Sequence, residues 1–288
     1  MTRSFPETLA AAVVARGCPL VVGFDPRPQR LPQTFTRGAS LPDAVTRFYR
    51  RVIDLIRDLV PCIKPQIAFF EAMGHEGFRA YEQTCAYARE NGLLVIGDVK
   101  RGDIGSTAEA YARAHFAHAD ALTLHPLLGT DSVEPFLAYC RDAGKGVFVL
   151  VRTSNPSATE FQDLRCGDRT LSEHLADAVD RWGRSASPQG DYSAVGAVVG
   201  ATWPDELGRL RARMPRAWIL LPGVGAQGAK VEDLASAFDA HGLGGLVTVS
   251  RAATECFEPQ DAAWEDKIVA AVAGLRSSTA RLGTGDLR

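Results

Sequence analysis

The stretch Gly97-Asp98-Val99-Lys100-Arg101-Gly102-Asp103-Ile104-Gly105-Ser106-Thr107 carries a carboxylate at Asp98, an ammonium at Lys100 and a second carboxylate at Asp103. An ammonium held in place can stabilise negative charge as it develops on a substrate, and a carboxylate beside it can crowd a second anion. On an extended backbone, side chains two positions apart point to the same side, so Asp98 and Lys100 would stand together. Asp103 lies beyond a glycine-containing turn; it need not share their face and could reach into a neighbouring subunit. In isolation the same residues would also fit a solvated salt bridge, with Asp103 as a helix cap. Their position favours chemistry. They follow the apolar run Leu93-Leu94-Val95-Ile96, which reads as a buried strand, and precede the helix-like segment Thr107 to His118. That is where parallel α/β folds keep their active sites.

The elements needed to hold such a site recur along the chain. Continuous apolar runs at Leu20–Phe24, Cys62–Gln66, Leu93–Ile96, Ala121–Leu124, Gly146–Val151, Ala194–Val199, Trp218–Leu221 and Leu246–Val249 read as parallel strands covered on both faces. Helical segments separate them, among them Pro42 to Leu59, Tyr81 to Asn91, Glu206 to Arg213 and Val231 to His241, after an amphipathic N-terminal helix from Phe5 to Arg16. Eight such units without a composition break predict an α/β fold, a closed (β/α)₈ TIM barrel over residues 1–276, with 277–288 as a frayed polar tail. Ser157 to Tyr192 is too long for a simple connection and reads as an elaborated loop containing a helix from Leu171 to Trp182.

The composition is that of a globular protein, with 288 residues, 46% hydrophobic and 23% charged, and a formal net charge of −2. Nothing in that balance points to nucleic acid or an anionic membrane as partner, and no apolar run is long enough to span a bilayer. The six cysteines form no C-x-x-C pair, and no charged-then-apolar leader opens the chain, so a cytoplasmic protein with reduced thiols is expected. The histidines lack metal-ligand spacing, so no metal is expected. His125, at a strand end before Pro126, reads as a structural hydrogen-bonding residue.

In a barrel of this kind the active site is built from the carboxyl ends of the strands. Taken in order, these ends supply Asp25, Lys64, Asp98 with Lys100, Ser154, the loop Pro222-Gly223-Val224-Gly225-Ala226-Gln227-Gly228, and Ser250-Arg251. The glycines let backbone N–H groups approach a ligand, and Arg251 offers a planar guanidinium fork. Phosphate sites in these barrels follow strands seven and eight, so a phosphorylated substrate is expected.

These residues resemble the orotidine 5′-phosphate decarboxylase family, in its longer bacterial group. The resemblance runs through Val22-Gly23-Phe24-Asp25-Pro26-Arg27, Lys64-Pro65-Gln66, Gly97 to Ile104, Thr153-Ser154-Asn155-Pro156, the Gly-Val-Gly-Ala-Gln loop and Val249-Ser250-Arg251, in family order. It implies decarboxylation of orotidine 5′-monophosphate to UMP with no cofactor and no metal. By match of motif, Asp25 and Lys64 would hold the ribose hydroxyls, Asp98 would face the departing carboxylate, and Lys100 would deliver a proton to C6. Asp103, Ile104 and Thr107 would come from the partner of a homodimer. Ser154 would bind the pyrimidine edge; Gln227 and Arg251 would bind the phosphate, beside Pro222, Gly225 and Ser250. Three other readings use the same residues: a Mg²⁺-dependent sugar-phosphate enzyme of the same fold, a Schiff-base aldolase with Lys64 or Lys100 as nucleophile, and a non-enzymatic phosphate-ligand sensor.

Overall fold

A computed structural model of the chain describes residues 3–224 and 230–282. Leu20–Phe24 (β1), Cys62–Pro65 (β2), Leu94–Arg101 (β3), Ala121–Leu124 (β4), Gly146–Arg152 (β5), Val195–Val199 (β6), Ile219–Pro222 (β7) and Gly245–Val249 (β8) form one closed barrel in chain order. The seam is parallel, with Val21 opposite Thr248 and Val22 opposite Val249. Gly23 belongs to this seam, because a Cβ there would lie 2.0 Å from Ser250 Oγ.

Alternation along each strand sorts the side chains. Inward residues Val21, Cys62, Ile96, Ala121, Phe148, Trp218 and Leu246 fill the interior, together with Phe5, Leu9 and Val13 from the helix Phe5–Arg16. That helix packs against the start of β5. Phe5 meets Phe148 edge to face at 6.1 Å, and a Cβ on Gly146 would sit 2.2 Å from Phe5 Cδ1. The outward residues pack under the surrounding helices as a second apolar layer.

Several elements differ from the sequence reading. β3 does not end at Ile96 but runs on to Arg101, so Asp98 and Lys100 belong to the strand itself. The connection after β5 contains a 3₁₀ turn at Pro156–Ala158, a short helix Thr159–Gln162, a two-residue hairpin pairing Arg165–Cys166 with Arg169–Thr170, and the helix Leu171–Ala186. Thr170 caps that helix, accepting from Glu173 N at 3.3 Å while Glu173 Oε2 accepts from Thr170 N at 2.9 Å. Val231 to His241 yields only a 3₁₀ segment, Glu232–Ala237.

The chain does not fray at Ser277. The last helix, Trp264–Thr279, crosses that boundary, and Leu282 is buried. Its terminal hydroxyls are accommodated by bonding back into the helix, Ser277 Oγ to Ala273 O and Ser278 Oγ to Gly274 O, each at 3.0 Å. Residues 283–288 of the expected tail lie outside the described residues. All six cysteines are free thiols. No helix among the described residues is long and apolar enough to cross a membrane.

Candidate active site

Two positions beyond the apolar interior, the next inward residue of six strands reaches the carboxyl end of the barrel. Lys64 follows Cys62, Asp98 follows Ile96, Thr123 follows Ala121, Leu150 follows Phe148, Leu220 follows Trp218 and Thr248 follows Leu246. With Asp25 and Val198 they line an open cavity of ≈ 450 Å³. Its polar side comes from the ends of β1 to β4 together with Thr248 of β8, and its apolar side, Leu150, Val198 and Leu220, from β5 to β7. A planar ring with one charged edge and one apolar edge fits such a divided floor.

Asp98 is the centre of the polar side. Its Oδ2 accepts from Lys64 Nζ at 2.7 Å and Gln66 Nε2 at 2.9 Å; its Oδ1 accepts from Lys100 Nζ at 2.5 Å and Thr123 Oγ1 at 2.9 Å. Burial alone would raise the carboxyl's pKa. The Lys64 and Lys100 ammoniums outweigh burial and hold it far below the usual carboxylate range. Lys64 is buried too, which alone would lower its pKa, but the carboxylates of Asp98 and Asp25 more than reverse this and raise it. Lys64 is therefore a fixed ammonium rather than a free amine nucleophile.

The expectation that Asp98 and Lys100 share a side is met, but not by simple strand alternation. Lys100 has a left-handed backbone, φ 44°, at a point where the β3–β4 register shifts between Gly97 and Arg101. Its N–H donates to Thr123 Oγ1 at 2.9 Å, and its ammonium folds back onto Asp98. A non-glycine residue in this region costs on the order of 1 kcal/mol or more, and such strain clusters at functional sites. Thr123 supports both ends of the arrangement.

Of the other expected residues, Asp25, Ser154, Pro222, Ser250 and Arg251 line the same cavity. Asp25 Oδ1 is buried without a hydrogen-bond partner among the described residues. Gly225 and Gln227 lie outside the described residues. Asp103, Ile104 and Thr107 do not line the cavity; Asp103 and Ile104 lie in the turn between β3 and the helix Gly105–Phe116, which contains Thr107. Asp103 Oδ1 accepts from the next backbone N–H, that of Ile104, at 2.8 Å. His125 is also outside the cavity, its Nδ1 accepting from Leu127 N at 3.4 Å.

Sequence reasoning assigned no role to Gln66, Thr123 or Thr248. All three line the cavity, and the buried Thr248 Oγ1 has no hydrogen-bond partner among the described residues. Counting two residues on from Ala121 and Leu246 would have found both threonines. Among the described residues, no three His, Cys, Asp or Glu side chains group in a way that would hold a metal ion.

Residues 19–265 match the model of the orotidine 5′-phosphate decarboxylase / HUMPS family. The chain is 42% identical over 263 residues to an orotidine 5′-phosphate decarboxylase of Rhodopirellula baltica, covering 86% of this chain and 87% of that protein. It is 43% identical over 259 residues to one of Deinococcus radiodurans, covering 88% and 89%. The structure of Leishmania donovani OMP decarboxylase superposes with a TM-score of 0.76 at 34% identity, over 95% of this chain and 99% of that one. With the charged floor and the order of the strand-end residues, these likenesses establish that the chain belongs to the orotidine 5′-phosphate decarboxylase / HUMPS family.

Proposed function

We propose that this protein is an orotidine 5′-phosphate decarboxylase, converting orotidine 5′-monophosphate to UMP and CO₂ in pyrimidine biosynthesis. The observation that carries the reading is the Asp98 carboxylate, held ionised by Lys64 and Lys100 at the centre of the polar side of the cavity.

The substrate carboxylate on C6 lies against Asp98, where like charge opposes it, and the ring rests on Leu150, Val198 and Leu220. As the bond from C6 to the carboxylate breaks, its electron pair stays on C6. The Lys100 ammonium faces that charge as it develops, then gives C6 a proton and recovers one from solvent. A site preset in this way needs no reorganisation at the moment of reaction. Crowding Asp98 against the substrate anion has a cost, which remote binding at the phosphate offsets through Arg251, Ser250 and Gln227. Asp25 and Lys64 hold the ribose hydroxyls, and Ser154 holds the pyrimidine edge.

The active unit is a homodimer in which Asp103, Ile104 and Thr107 of each chain complete the partner's site. In support, Ile104 is 55% exposed, and the loop after β4 carries the exposed apolar side chains Leu127, 71%, and Leu128, 53%. The reaction takes place in the cytoplasm, without metal or cofactor. The deciding experiment follows the loss of orotidylate absorbance with purified protein, with and without excess EDTA. Turnover that survives EDTA is expected. Loss of activity in EDTA would favour the Mg²⁺-dependent sugar-phosphate chemistry, and UMP binding with no turnover would favour a ligand sensor.

A further inference from the structure

The connection after β5 is longer than closing a barrel requires, and its first part turns back toward the cavity. Gln162, in the short helix Thr159–Gln162, grips Thr153 by two bonds: its Oε1 accepts from Thr153 N at 2.8 Å and its Nε2 donates to Thr153 Oγ1 at 2.9 Å. Thr153 Oγ1 in turn donates to Asn155 Oδ1 at 2.7 Å. The next residue, Asp163, pairs with Arg152 Nη1 at 2.8 Å, and Arg152 is completely buried at the end of β5. Its other terminal nitrogen donates to Glu206 Oε1 at 3.0 Å, and its guanidinium lies 4.0 Å from the centre of the Trp203 ring.

The connection after β6 holds the same turn from the other side. Trp203 Nε1 donates to Thr153 O at 2.8 Å, and Thr202 Oγ1 donates to Ser154 O at 3.3 Å. Gly200 lies directly beneath, where a Cβ would be 2.7 Å from Ser154 Cα. The N–H, the carbonyl and the hydroxyl of Thr153 are therefore all held by residues outside the cavity, and the neighbouring Ser154 lines it.

We propose that residues 156–170 act as a strut that sets the Thr153–Ser154 turn before substrate arrives, with Gln162 as a positioning residue for the base end of the nucleotide. The inference rests on the decarboxylase reading, in which Ser154 meets the pyrimidine edge. A turn ordered in advance spares the substrate the entropy of ordering it, so loosening the strut weakens only ligands that reach the turn.

The test compares wild type, Gln162→Ala and Gln162→Glu by orotidylate turnover, with UMP and ribose 5-phosphate as competitive inhibitors. The first ligand has a base and the second does not. Losing two neutral hydrogen bonds should raise the orotidylate KM and the UMP inhibition constant roughly tenfold in Gln162→Ala and leave ribose 5-phosphate unchanged. Gln162→Glu keeps the acceptor for Thr153 N and should lose about threefold; it carries the comparison if the alanine variant does not fold. UMP and ribose 5-phosphate weakened alike, or both variants matching wild type, would overturn the strut alone. Wild-type protein that leaves orotidylate unchanged would overturn the decarboxylase reading and the strut with it.

Discussion

Replacing Asp98 by Asn keeps the side chain's shape and removes its charge, which isolates the electrostatics of the cavity floor. The Lys64 and Asp98 side chains are each 8% exposed and 2.7 Å apart, for which Coulomb's law at an effective dielectric constant of about 20 gives about 6 kcal/mol. Desolvation returns part of that, and breaking a buried pair by removing one partner costs about 3–5 kcal/mol in practice. The asparagine NH₂ must also face donors, either Lys64 with Gln66 or Lys100 with Thr123. A loss of about 3–5 kcal/mol corresponds to a fall in Tm on the order of 10 °C for a chain of this size.

The sign of the pH dependence is the sharper test. In the wild type the Lys64 pKa is raised in the folded state: burial lowers it, and Asp98 and Asp25 more than compensate. Its contribution to stability is thus complete below the unfolded lysine pKa of about 10.4, and it is lost as pH rises through the folded value. In Asp98→Asn, burial remains and only Asp25 opposes it, so the folded pKa drops below the unfolded one. The unfolded state then binds more protons, and raising pH stabilises the variant. Calorimetric melts of both proteins from about pH 7 to about pH 9.5 should show the deficit shrinking with pH. A deficit below about 1 kcal/mol at neutral pH, or one that stays flat or widens toward alkaline pH, would refute the reasoning.

Lys100→Ala should lower kcat by at least about a thousandfold with UMP still bound, because the variant loses both the proton donor and the cation facing C6; substantial remaining turnover would mean another donor. Mixing Lys100→Ala with Asp103→Ala should restore about a quarter of wild-type activity, since half the dimers are mixed and one of their two sites is intact. No recovery in mixtures shown to exchange subunits would remove the shared site. Arg251→Ala should raise the orotidylate KM at least about tenfold, the loss of a charge-assisted phosphate contact, and an unchanged KM in steady-state assays would take Arg251 out of phosphate binding.

The sequence by itself determined the barrel's strands and most of the cavity's polar residues. Apolar runs closed by Gly, Pro or charge are local signals, and in this architecture the end of each run is also the rim of the site. Asp25, Lys64, Asp98, Lys100, Ser154 and Arg251 could therefore be read from position alone, and all of them line one cavity. Polar composition misled at Ser277 and Ser278, because hydroxyls that suggest fraying can satisfy themselves on their own helix.

Tertiary structure decided how those residues are engaged. The donors to Asp98 include Lys64, Gln66 and Thr123, which lie 34, 32 and 25 positions away and meet only because β2, β3 and β4 are adjacent in the closed barrel. The left-handed backbone of Lys100 depends on the Thr123 hydroxyl of the neighbouring strand and on a register shift that no single-strand pattern contains. The grip of Gln162 on Thr153 likewise has no local signature. Strand formation follows from the order of side chains along one segment, whereas charge pairing, hydroxyl satisfaction and turn bracing depend on which segments the fold brings within hydrogen-bond reach.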